Sequence, residues 1–278
     1  MTAQTTDMQA DETDNAYEPH LTHAASEYLA RMFPNDDVPS LPQTDPEFTE
    51  RFDNFAFDEV VNGGAPDGED PLDDRTRFIA ILATLLGCQG VDQFRVMLGA
   101  ALDMGVTPSE AKEIVYQAVA YLGIGRVFPF FDVTNEVLTQ RGVALPLKPQ
   151  ATTEPDFASR VTAGEQAQVD IFGKGMKGFA TSGNPEYPQI NRWLAANCFG
   201  DYYTRGGLDL REREMITYCY LAAQGGVEPQ LIAHAKANMR IGNGKAFLLK
   251  VASSVMPFIG YPRTLNAIRC IETAAADQ

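Results

Sequence analysis

The sequence has no CxxC pair. Its four cysteines, Cys88, Cys198, Cys219 and Cys270, stand far apart in apolar, helix-like surroundings, which argues against a disulfide scaffold or a zinc knuckle and for reduced, mostly buried thiols. Bases are scarce: 22 lysines and arginines face 37 acidic residues, a formal charge of −15. No basic run is present to follow a phosphate backbone, so nucleic acid is not an expected partner. No apolar run approaches the roughly 18 residues of a membrane span. The opening MTAQTTDMQADETDNAYEP has neither the basic start nor the apolar centre of a leader. A soluble, cytoplasmic protein with no membrane partner is expected. His20 and His23 form an HxxH with no third ligand nearby, so no metal is expected.

What the sequence does have is an internal repeat. LDDRTR at Leu72 to Arg77 answers LDLRER at Leu208 to Arg213, an offset of 136. MLGAALDMG (Met97 to Gly105) lies over HAKANMRIG (His234 to Gly242), and AYLGIGRV (Ala120 to Val127) over PFIGYPRT (Pro257 to Thr264), both at an offset of 137. The copies differ in chemistry. Phe78 stands where the second copy has Glu214, and Met97 where it has His234, so only the second copy carries an acid and a histidine able to move a proton.

Periodicity places everything on helices. Residues 1 to about 19 are polar and acidic and read as disordered; helices are expected at His23 to Phe33 and Glu47 to Val61. The first copy then predicts helices at Asp73 to Leu86, with one apolar face, Val91 to Met104, Pro108 to Tyr121 and Val127 to Thr139. Thr107-Pro-Ser-Glu110 supplies the cap, first-turn proline and N3 acid of a helix start. The second copy predicts Ala163 to Phe179, Tyr187 to Asn197, Leu210 to Gln224, Glu228 to Arg240, Gly244 to Val255 and Pro262 to Ala274. The division is an N-terminal arm over 1–22, a first repeat over 23–142, a linker over 143–162 and a second repeat over 163–278. The helix at His23 to Phe33 has no role in the repeat as read, and is expected to wrap a neighbouring subunit.

FGDYYTRGGLDLREREMITYCYLAA, QLIAHAKANMRIG and GYPRTLNAIR together resemble the carboxymuconolactone decarboxylase family, related to alkylhydroperoxidase D proteins. The resemblance covers residues 163 to 275 and, more weakly, 46 to 142. It implies an all-α fold of two tandem helical domains and a homo-oligomer, either a trimer of doubled chains or a hexamer. It also implies two possible chemistries. The peroxidase branch needs a CxxC ahead of the histidine; here those positions are Val227 and Gln230, and without a thiolate that reaction has no nucleophile. The decarboxylase branch keeps the histidine and the glutamate.

His234 is therefore the expected proton donor and Glu214 its orienting partner, acting without a cofactor on a small anionic carboxy-lactone or keto acid. Arg205, Arg211, Arg213, Gln230 and Tyr261 are the candidate substrate contacts. Each assignment has a structural rival. His234 borders an apolar stripe with Leu231 and Ala235; Glu214 lies in a helix's first turn, where the dipole favours acids anyway; the arginines suit a solvated face. Tyr202, Tyr203 and Trp193 read as core or subunit contacts. The competing function is a non-catalytic small-molecule-binding or scaffold oligomer. An enclosed polar cavity at His234 favours the enzyme, and apolar filling around the ring favours the scaffold.

Overall fold

The computed structural model describes residues 17–35, 41–66 and 68–276, and every regular element among them is helical. The first repeat comprises α1 (His23–Met32), α2 (Leu41–Thr44) and α3 (Pro46–Asn54), which continues through a π-helical stretch, Phe55–Glu59, into α4 (Val60–Gly63). It goes on with α5 (Asp74–Gly87), α6 (Val91–Asp103), α7 (Pro108–Leu122) and α8 (Ile124–Gln140). The second repeat has α9 (Phe157–Phe172) and α10 (Gln189–Trp193), which runs into a second π-helical stretch, Leu194–Tyr203. Then come α11 (Leu210–Gln224), α12 (Glu228–Arg240) and α13 (Lys245–Ala276). Gly260 (φ 75°, ψ 164°) breaks α13 where Gly123 (φ 79°, ψ 148°) separates α7 from α8. Only glycine takes such angles without strain.

Capping chemistry starts the central helices. Asp73 caps α5 by accepting from the Thr76 N–H. Asp209 and Glu212 form a reciprocal capping box on α11, as Thr107 and Glu110 do on α7. The one-sided apolar face expected of α5 is not what forms. Every residue from Arg77 to Gly87 is buried, because α5 lies between α6, α7, α11 and α13. At Gly87 the two central helices nearly touch, since a Cβ there would stand 2.7 Å from the Tyr220 carbonyl oxygen.

The repeats exchange contacts across a pseudo-twofold relation. Arg77 on α5 donates to Ser254 Oγ on α13 at 3.1 Å; its counterpart Arg213 on α11 donates to Gln117 Oε1 on α7 at 3.0 Å. A second pair keeps its place with its charges reversed. Arg205 meets Glu113 at 2.9 Å, and at the equivalent positions Glu69 meets Lys250 at 3.3 Å.

The bounds of α9 differ from expectation. α9 begins at Phe157, inside the expected linker, and ends at Phe172 rather than Phe179. Gly173 stops it with φ 98°, and a Cβ there would come within 2.9 Å of the Arg240 guanidinium. α1 packs on its own chain: it buries Ala25, Tyr28 and Met32, stacks Tyr28 on Phe57 and bonds Tyr28 Oη to Asp74 at 2.8 Å. It contacts α6 and the first π stretch as α9 contacts α12 and the second. Finally, most of the segment expected to be disordered lies outside the described residues. Its described end is held, with Tyr17 Oη and the His20 N–H both donating to Glu50.

Candidate active site

Glu214, in the first turns of α11, is fully buried, and His234 on α12 keeps 8 % of its surface exposed. His234 Nδ1 lies 2.8 Å from Glu214 Oε2. Asn238, one turn beyond His234, holds the two helices in register by donating to the Glu214 carbonyl at 2.9 Å and to the His234 carbonyl at 2.8 Å. A carboxylate can only accept, so in the neutral ring this bond assigns the proton to Nδ1 and leaves the lone pair on Nε2.

The other Glu214 oxygen accepts from Tyr203 Oη at 2.8 Å. Tyr203 Oη also lies 2.7 Å from Thr217 Oγ1 and 2.7 Å from Tyr121 Oη. Because the Tyr203 proton is committed to Glu214, Thr217 and Tyr121 must both donate to the Tyr203 oxygen. Thr217 in turn accepts from Gln117 Nε2 at 2.9 Å. The chain of hydrogen bonds thus runs one way, from the first repeat toward Glu214. Burial pushes the phenols of Tyr121 and Tyr203 well above their ordinary pKa, so both remain donors.

Aromatic rings surround the imidazole. Tyr121 and Phe172 meet it edge-on, with centroids at 5.5 and 5.4 Å. Cys198 borders Tyr121, and burial pushes its thiol up to about 12, which makes it a neutral neighbour and not a thiolate nucleophile. Beyond the Phe172 ring a hollow on α12 is lined by Ala233, Lys236, Ala237 and Arg240. Among the described residues no cluster of three or more His, Cys, Asp or Glu side chains is placed to hold a metal ion, and no helix is long and apolar enough to cross a membrane.

The other sequence candidates do not converge on His234. Arg213 is wholly buried and donates to Glu113, Gln117 and the carbonyls of Arg205 and Gly206; Arg205 chelates Glu113. Both arginines hold the repeats together. Arg211 ties α11 to Asn243 and the Gly242 carbonyl. Gln230 is exposed on α12, and Tyr261 is 60 % exposed at the break in α13.

Sequence reasoning passed over Tyr121, Thr217, Gln117 and Phe172, and read Tyr203 only as a core or subunit contact and Cys198 only as a buried thiol. For Tyr121 a signal existed: it faces Phe258 across the repeat, the same polar-for-apolar asymmetry that singled out Glu214 and His234. Tyr203 had none, since FGDYYT is equally good core sequence.

The profile of the Carboxymuconolactone decarboxylase family matches residues 46–136 and 188–273. No curated protein matches the chain. Among solved structures, a candidate gamma-carboxymuconolactone decarboxylase subunit from Burkholderia xenovorans LB400 is 18 % identical, with a TM-score of 0.49 over 91 % of this chain and 96 % of that one.

Proposed function

The chain belongs to the carboxymuconolactone decarboxylase family, and from that premise we propose that it is a carboxy-lyase acting on a small carboxy-lactone or keto acid, with His234 as proton donor. The observation that carries this reading is the buried His234–Glu214 pair at 2.8 Å, with Nε2 as the ring nitrogen left for a substrate. Release of CO₂ leaves an electron pair on the α-carbon, delocalised into the adjacent carbonyl. The imidazolium gives its Nε2 proton to that carbon and becomes neutral, keeping the proton on Nδ1 that Glu214 holds. Solvent restores the Nε2 proton. Tyr203 keeps the carboxylate in place and touches no substrate.

On this reading substrate approaches through the hollow on α12, whose wall includes the Phe172 ring that packs on the imidazole. Arg240 in that hollow carries the sign that an anionic substrate needs in a protein of net charge −15.

The aromatic packing of His234 favours a second reading, a binding or scaffold oligomer in which the pair is structural. CO₂ release from γ-carboxymuconolactone and a panel of 2-carboxy-lactones and keto acids separates the two. Turnover of a panel member supports the lyase; inertness toward all of them leaves the scaffold.

A further inference from the structure

A second cavity, of about 390 Å³, lies in the first repeat among α1, α3, α5 and α6, and is closed from the second repeat by Pro257 and Phe258. It is the counterpart of the His234 site. Met97 stands where His234 does and Phe258 where Tyr121 does. In the second repeat the aromatic rings close on the imidazole; here they stand back and leave space. The volume falls within the roughly 300–1,000 Å³ typical of small-molecule sites.

The walls are apolar, formed chiefly by Phe52, Phe57, Leu85, Met97 and Phe258, and one charged side chain, Asp53, breaks them. No hydrogen bond or ion pair to Asp53 is found among the described residues, and burial alone acts on its carboxyl, raising its pKa. The other ionisable wall group, the Cys88 thiol, is also raised by burial and stays uncharged. A half-buried carboxylate in an apolar wall lacks the counter-charge that would offset its desolvation. An anionic ligand would add repulsion, and a neutral one would leave the charge unpaired.

We propose that this cavity binds a small hydrophobic amine, its apolar body against the aromatic wall and its ammonium on Asp53. The site is separate from the proposed lyase site and takes the opposite charge.

The test is calorimetric titration of the full-length protein, in its native assembly at pH 7.5, with 2-phenylethylamine. Two probes with the same ring, 2-phenylethanol and 3-phenylpropanoate, are the controls. The amine is expected to bind once per chain, at least about tenfold more tightly than either control, and to lose that advantage in Asp53→Asn. Met97→Trp, which fills the cavity, should abolish binding, and His234→Ala should leave it intact. Equal binding of the carboxylate, or amine binding indifferent to both Asp53→Asn and Met97→Trp, would overturn the proposal. So would failure of the amine to bind, the result expected if a neighbouring copy of the chain occupies the cavity.

Discussion

His234 and Glu214 were readable because duplication supplies its own control: where one copy has phenylalanine and methionine, a buried acid and a histidine need a reason. The partners of the arginines were not readable. Arg213 and Glu113 are 100 positions apart and meet only because α7 of the first repeat packs against α11 of the second. Two expectations belong to single residues. Tyr203→Phe removes a donor from Glu214 and the acceptor of Thr217 and Tyr121, all in buried surroundings. It should lower stability by about 1–3 kcal/mol in thermal or denaturant unfolding. Asp53 gives a pH signature. Its pKa is raised from 3.8 to about 6 in the folded chain, so the folded state binds the proton more tightly than the unfolded one. Stability should therefore increase as pH falls through about 6 and level off below about 4. Asp53→Asn should remove this dependence and raise stability at pH 7.5 by on the order of 1 kcal/mol, discounted for the partial exposure of the carboxyl. Melting temperatures across pH 4–8 for both proteins would check it.

At the scale of elements, helix existence was legible nearly throughout and helix ends were not. α7 began where its capping box and proline placed it, since those signals are local. The end of α9 depends on Gly173 and on Arg240, a residue far along the chain, and no periodicity contains that. Neither π-helical stretch was visible, because the extra residue per turn is set by packing and not by propensity. The second of these carries Cys198 and Tyr203 and lies unusually close to α9. A Cβ on Gly164 would stand 1.8 Å from the Ala195 oxygen, and one on Gly200 would stand 2.2 Å from the Arg160 oxygen. Both obstacles are backbone and cannot rotate away. Gly164→Ala and Gly200→Ala should each cost about 3 kcal/mol or more, measurable by denaturant unfolding, and should displace Tyr203 from Glu214. Alanine at the exposed Gly175, where a Cβ meets nothing, is the control and should change stability little.

For the whole molecule, the all-α tandem architecture was legible from the repeat and the family resemblance. The mutual bracing of the two halves was not, since it rests on Arg77–Ser254 and Arg213–Gln117, pairs of residues ordinary in isolation. Each half also supplies a ring to the other, Tyr121 against His234 in one direction and Phe258 to the first-repeat cavity in the other. The same duplication leaves matching apolar pairs on the surface: Ile124 and Phe128 are 53 % and 59 % exposed, and Tyr261 and Leu265, their counterparts, 60 % and 58 %. Adjacent large exposed side chains of this kind mark contact surfaces. We assign them to assembly with further copies of the chain. On this proposal the wild type should run as an oligomer in light scattering and Phe128→Asp with Leu265→Asp as a monomer, while a monomeric wild type or an unchanged mass would remove these faces from any interface.

The central claim is that one working site per chain lies in the second repeat. The most direct measurement is CO₂ release by wild type and by His234→Ala, on whichever carboxy-lactone or keto acid the wild type turns over, with helicity and oligomer mass recorded for both. The account predicts a loss of about 10²–10⁴-fold in turnover in a folded, assembled variant. Equal turnover by the two proteins would contradict it.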